Sequence, residues 1–409
     1  MICFAEQVHV FRLGKRRFVS FSALLCLLAA LAVPSRGVHA QEETVFKSYE
    51  RIFIRSSLGS KVNVLSDAAN DEDAALFYGP LCKLALDFAV ENVLLFRDDP
   101  DILSIAVTAV RGIGNHEYIP ATEVLWQAFL CFPDNLIRYE ILDVLPIMDT
   151  QSLTPYINEF LVDQYRNYNS GLPSDYRLLS ALFAILADTG DESSYPVLFS
   201  SSRLYSGELK DEAIKALYGI NGDFSGFCIK VILNNPLPEK LAAFNLAVSR
   251  DELSAEKKAE LAEAALETVL AIPGDRRSEV LELTEKSLLL IQEAEWVRSL
   301  PHVIKYYTQC HAAFRADRSL KQALLNAIAC MGALKSAEAA RPLALDLSLY
   351  NSRYAALANE DYEVVLALIN ALGKLGYKAS YDILRQAGSL DYPGTIREAA
   401  QKTLNMLQW

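Results

Sequence analysis

Apolar residues recur every three or four positions through most of this chain, and strand-like alternation is scarce. Near the C-terminus Ile396, Ala399, Ala400, Thr403, Leu404 and Leu407 form one such stripe, the spacing of a helix with a single buried face. Leu320, Ala323, Leu324, Ala327, Ile328 and Met331 form another. Val364–Leu375 is apolar over a wider arc, as in a helix packed on both sides. Polar breaks divide these runs into pairs. First helices are predicted at 101–113, 135–147, 174–188, 208–220, 238–249, 276–292, 317–331 and 361–375. Second helices are predicted at 119–131, 154–168, 194–203, 224–234, 254–271, 295–315, 336–349 and 378–388, with a closing helix at 394–408.

The breaks nearly repeat a phrase. Gly190 and Gly114 each end an apolar run and stand six residues before a proline, Pro196 and Pro120; looser copies start at Gly222, Gly332 and Gly376. Glycine just past a helix supplies a left-handed residue without a Cβ penalty, and proline fits the first helical turn. Thr154-Pro155, Asn235-Pro236, Asp317 and Ser336 read as N-caps, and Pro342 predicts a kink or the true start of its helix. Units are spaced unevenly: 32 residues separate Gly190 from Gly222, and 44 separate Gly332 from Gly376. The expectation is an all-α fold, an α-solenoid of stacked antiparallel helical hairpins in a HEAT/armadillo-like superhelix. About eight hairpins would fill residues 101–409, with a capping helix at the end and a partly helical capping region at 41–100. In that region Ala74–Phe96 reads as helix, Phe46–Ile54 and Lys61–Leu65 as short helix or extended chain, and polar Ser56–Asp73 as a loop.

These repeats resemble the HEAT-like repeats first associated with bilin lyases. Ile396-Arg397-Glu398-Ala399-Ala400-Gln401-Lys402-Thr403-Leu404 is similar to that family's first helix, and Ala371-Leu372-Gly373-Lys374-Leu375-Gly376 to its end. Gly190-Asp191 with Pro196-Val197-Leu198 is similar to the turn and second helix. The resemblance covers about residues 100–409 and departs from the pattern at 238–315. It implies the stacked-helix fold and, for function, a scaffold or binding surface.

Residues 1–40 read as an export signal: Arg12, Lys15, Arg16 and Arg17 precede the uncharged run Phe18–Val33, and Val38-His39-Ala40 suits cleavage before Gln41. An uncleaved anchor is the alternative, although the run is shorter than the ~20 residues of a comfortable membrane span. No second such stretch occurs, so no membrane contact is expected beyond the signal, and the product is periplasmic or secreted. The whole chain carries a net charge of −12. Without the leader it would hold 34 basic and 50 acidic side chains, a net −16. That balance argues against nucleic acid, which requires clustered cations, and favours a partner with a basic patch. Cys82, Cys131, Cys228, Cys310 and Cys330 remain, an odd number; they read as core thiols, with a Cys310–Cys330 bridge as the alternative in an oxidising compartment.

Catalytic signals are weak. His116, His302 and His311 lack metal-ligand spacing, and no nucleophile elbow, phosphate loop or dinucleotide fingerprint occurs. The acid pairs Asp98-Asp99 and Glu360-Asp361 read as helix-start charges. No cofactor, metal or catalytic residue is expected. Tyrosine marks the candidate surface: Tyr165 and Tyr168 end a second helix, while Arg353 and Tyr354 open the loop after Leu349. Tyr and Arg bury area while keeping a polar handle, as binding hot spots require. The expected function is a noncatalytic protein- or peptide-binding scaffold of the cell envelope. Alternatives are an envelope enzyme on a helical toroid acting on glycans or cell-wall polymers, and a structural subunit of a larger assembly.

Overall fold

A computed structural model describes residues 36–96, 99–356 and 360–407, with side chains from Val45 onward. The leader expected at 1–40 lies outside the described residues except for Arg36–Ala40, which open the first helix. Among the described residues there is no strand, and the helices divide into two compact units at Leu153/Thr154.

The first unit comprises α1 (Arg36–Arg55), α2 (Leu58–Ala69), α3 (Tyr78–Asn92), α4 (Pro100–Asn115), α5 (Thr122–Cys131) and α6 (Asn135–Val144). The stretch read as a loop at 56–73 is mostly α2. Its buried stripe is Lys61, Val64, Leu65 and Ala68, and the lysine disguised the pattern. Lys61 lays its stem beneath Phe53 and Phe88, with the ammonium 4.3 and 4.6 Å from the ring centres. That ammonium donates to the carbonyl of Phe53 and, at 3.4 Å, to that of Ile54. It thereby meets the orphan carbonyls at the end of α1.

The second unit comprises α7 (Thr154–Asn169), α8 (Tyr176–Thr189), α9 (Tyr195–Leu204), α10 (Glu208–Gly219), α11 (Phe224–Asn234), α12 (Leu237–Val248) and α13 (Ala255–Leu270). It continues with α14 (Ser278–Glu293), α15 (Leu300–Ala316), α16 (Lys321–Ala333), α17 (Ala337–Ala355), α18 (Tyr362–Leu375), α19 (Tyr381–Ser389) and α20 (Gly394–Met406). Within each unit, even-numbered helices pack on even and odd on odd, as in α2–α4–α6, α14–α16–α18–α20, α1–α3–α5 and α11–α13–α15–α17–α19. Each unit is therefore a two-layer helical stack, and the chain is an all-α solenoid of the helical-repeat kind.

The pairing phase differs from the expected one. The closest antiparallel partners are an odd helix and the even helix after it, as in α3–α4, α9–α10, α13–α14 and α19–α20. The Gly-to-Pro phrase thus joins consecutive hairpins instead of lying inside one. Its proline side holds at Pro196, in the first turn of α9, while Pro120 sits in the short 3-10 turn Ile119–Ala121 that leads into α5.

The glycine side needs correction. Of the five phrase glycines only Gly376 is left-handed, at φ 64°. Gly190 is extended, and Gly114 and Gly332 lie inside α4 and α16. The recurring event is a small residue in the last turn of an even helix, where the neighbouring even helix comes close. A Cβ on Gly114 would stand 2.6 Å from Val144, on Gly219 2.9 Å from the Ala187 carbonyl, on Gly332 2.9 Å from Ala371 and on Gly373 3.0 Å from Thr403. Three residues after Gly114, Gly332 and Gly373 come the left-handed residues Glu117, Lys335 and Gly376. At Glu117 and Glu295 the turn closes through a bond from the next N–H to the carbonyl five residues back, Tyr118 to Ile113 and Trp296 to Ile291.

Other local readings also shift. Ser336 and Asp317 accept the N-cap bonds expected of them. Asn235 does not cap; Pro236 holds the N-cap of α12 and Asn235 donates to Glu239 at 2.7 Å. The Thr154 hydroxyl instead reaches the Thr189 carbonyl at 3.4 Å. Pro342 lies within α17, which begins at Ala337. All five described cysteines are free. Burial pushes the thiols of Cys82, Cys228 and Cys330 up to about 12 and that of Cys310 to about 11, whereas Cys131 is exposed.

Candidate functional site

The four residues singled out by sequence fall at two separate places in the second unit, and among the described residues no hydrogen bond, ion pair or ring contact joins the two pairs. Tyr165 and Tyr168 stand one turn apart on α7. Tyr168 is exposed at its edge and packs T-shaped on Tyr205, with ring centres 5.2 Å apart. Tyr205 is buried and turns the chain from α9 to α10, with Phe183 of α8 behind it.

Arg353 and Tyr354 are not in a loop. Their segment is the last turn of α17, which runs to Ala355 because Tyr350 and Asn351 are buried. Both side chains engage their polar ends with the protein itself, although Arg353 is exposed. The Arg353 Nε lies 3.0 Å from Oε1 of Glu360, an ion pair without the alignment of a hydrogen bond. The Tyr354 hydroxyl donates to the Asp391 carbonyl at 2.6 Å, and its ring stacks on buried Tyr392 at 4.0 Å. Glu360, read with Asp361 as a helix-start charge, is buried and paired with Arg353; Asp361 alone caps α18 through the Glu363 and Val364 N–H groups. Asp99 caps α4 in the same way, and Asp98 lies outside the described residues.

The histidines serve packing. His116 caps α4 with Nδ1 3.1 Å from the Gly112 carbonyl. His311 is neither solvent-facing nor a cap: it stacks on Tyr307, and its Nδ1 lies 3.5 Å from Oδ2 of Asp346, the oxygen that also takes the Tyr307 O–H. Burial first, and Asp346 second, raise the Tyr307 hydroxyl far above the ordinary phenol range. His302 lies 4.0 Å from Glu263, whose other oxygen accepts from Trp296 and Arg298 at 2.8 Å each. Among the described residues no cluster of His, Cys, Asp and Glu could hold a metal, and no helix is long and apolar enough to cross a membrane.

A cleft of about 460 Å³ lies beside Tyr205, between α10 and α12. These two even helices meet there through large side chains, with no glycine contact between them. The Tyr218 hydroxyl donates to the Leu246 carbonyl at 2.8 Å, and Arg250 donates to the Tyr218 carbonyl at 3.1 Å while covering the Tyr218 and Phe224 rings. Further along, Ile214 of α10 and Ala242 and Leu246 of α12 form an apolar lining, with Arg203 and Lys210 as its charged residues. Sequence reasoning missed this cleft. Its lining comes from three helices, and its one sequence signal is the departure from the repeat pattern that begins at residue 238.

No family model matches the chain, and no curated protein matches it. A solved structure from work on a phosphorylation switch that controls the interaction between cadherin and beta-catenin is similar over 95% of this chain and 99% of that one, at 12% identity and a TM-score of 0.28. A score so low bears on neither fold nor function.

Proposed function

We propose that this chain is an exported, noncatalytic scaffold that holds a protein or peptide partner in the cell envelope, built on repeats of the HEAT-like type. The observation that carries this reading is the surface cleft between α10 and α12, lined in part by Tyr205, the residue on which Tyr168 packs. A stack whose units contact only their neighbours leaves such surfaces free along its length. In this reading residues 1–40 are a leader, residues 41–100 cap the first unit, and Tyr165 and Tyr168 face the partner. Arg353 and Tyr354 border a second partner-facing patch at the end of α17, held in shape by Glu360 and Tyr392. The carboxylates an enzyme on a helical scaffold would need are otherwise engaged at that patch, Glu360 by Arg353 and Asp361 by the cap of α18.

The test is capture from an envelope extract. The wild-type chain is expected to recover a specific protein, and the variant with Tyr165, Tyr168, Arg353 and Tyr354 all changed to Ala to lose it. Equal recovery by both removes these residues from the site, and recovery of nothing by the wild type removes the scaffold reading. Export is tested by cell fractionation: the protein belongs in the periplasm or medium, and cytoplasmic retention contradicts that part of the reading.

A further inference from the structure

The polar groups around the α10–α12 cleft are nearly all engaged. Ser202 donates to the Phe199 carbonyl at 2.7 Å, and Ser249 to the Leu246 carbonyl at 3.0 Å. Asn245 donates to Glu282 and accepts from Lys286 at 2.8 Å. Arg203 lies 3.1 Å from Glu239, whose second oxygen takes Asn235. The exception is Lys210, which is exposed and has no ion partner or hydrogen bond among the described residues. No carboxylate lines the cleft, although acids outnumber bases 51 to 39 in the whole chain. With Arg203 paired to Glu239, Lys210 is the one uncompensated charge among the lining residues, and the floor of Ile214, Ala242 and Leu246 is apolar.

We propose that the cleft between α10 and α12 docks an extended peptide segment of the partner, with an apolar side chain over Ile214 and Leu246 and a carboxylate two residues away on Lys210. Alternate side chains of an extended segment share one side, so residues i and i+2 reach the floor and the lysine together. The net acidity of the chain acts on the approach of the partner, whereas this local pair sets what docks, because diffuse charge governs on-rate more than affinity. The inference rests on the scaffold reading above and names the chemistry recognised at its site.

The probe is a fluorescein-labelled peptide, Gly-Ser-Leu-Ser-Glu-Ser-Gly, measured by fluorescence anisotropy on the full chain. Versions carrying Gln or Lys in place of Glu, and Ser in place of Leu, serve as comparisons. The Glu peptide is expected to bind about threefold tighter than the Gln peptide, the scale of one exposed charge pair, with the advantage shrinking as salt rises. The Leu-to-Ser change abolishes binding. Lys210→Glu lies on the surface and should leave the helical spectrum unchanged while reversing the order, so that the Lys peptide binds best. Equal affinities for the Glu, Gln and Lys peptides, absence of binding, or an order unaffected by Lys210→Glu overturns the proposal. Capture of an envelope partner by wild type and undiminished capture by Lys210→Glu also overturns it while leaving the scaffold reading intact. Failure of wild type to capture any partner counts against the scaffold reading itself.

Discussion

Gly332→Ala and Gly388→Ala make the same chemical change in two helices of the second unit and should have opposite effects. In a helix interior Ala is favoured over Gly by about 0.5–1 kcal/mol. At Gly388 the new Cβ would find Ala400 Cβ at 3.8 Å and nothing closer, an ordinary contact, so most of that gain is retained. At Gly332 it would stand 2.9 Å from Ala371 Cβ and 3.0 Å from its Cα, where carbon pairs normally sit at about 3.5–4.0 Å. Because one neighbour is backbone, α16 and α18 must move apart, and overpacking of this kind costs roughly 1–3 kcal/mol. The propensity term is shared, so the two variants should differ by about that same 1–3 kcal/mol. Urea unfolding followed by helical ellipticity measures the difference as a change in midpoint at constant slope. Ala371→Gly in the Gly332→Ala background removes the opposing Cβ and should restore part of the loss, a coupling absent between Gly388→Ala and Ala371→Gly. If Gly332→Ala stabilises as much as Gly388→Ala, close approach of the even helices is not what glycine provides at the end of α16.

Three further outcomes follow from the same geometry. Lys61→Met keeps the apolar stem but removes the donor to the Phe53 and Ile54 carbonyls; it should cost about 1–3 kcal/mol for the carbonyls left unmet, and an unchanged or raised melting temperature would contradict that role. Of the five described cysteines only Cys131 should react with a thiol reagent under native conditions, since burial pushes the thiols of Cys82, Cys228, Cys310 and Cys330 up to about 11–12; rapid labelling of any of those four, mapped by peptide mass, refutes this. The Asp223 carboxyl is held below its ordinary value chiefly by the Gly226 N–H and then by Ser225. A depressed carboxylate lends stability above the unfolded value of about 3.9 and loses it as pH falls through the lower folded value. Asp223→Ala should therefore cost about 1 kcal/mol at neutral pH, and the gap to wild type should close below that window in pH-dependent unfolding.

The helices were legible because burial here follows one stripe per helix, and apolar spacing reports that directly. What stayed hidden involves residues whose type does not announce their role. Lys61 reads as polar yet belongs to the buried stripe of α2, so the helix looked like a loop. Tyr350 and Asn351 are buried in the last turns of α17, so a tyrosine-rich stretch that resembles a loop is helix. Gly114 and Gly332 occupy the spacing a left-handed turn would have, but the left-handed residues are Glu117 and Lys335 three positions on, which look like ordinary surface charges. Of the surface residues, Tyr168 was found through its type alone, and its contact with Tyr205 leads to a cleft assembled from three helices that no motif marks. Arg353 and Tyr354 were noticed for the same reason, yet their polar ends are bound to Glu360 and Asp391.

The central claim is that the chain works by holding a protein partner beside Tyr168. Photo-cross-linking in the living cell tests it directly: a benzoylphenylalanine replaces Tyr168 in one strain and Glu256, an exposed residue of α13, in another. The account predicts a discrete protein adduct from position 168 and none from position 256. No adduct at 168, or the same adducts at both positions, contradicts it.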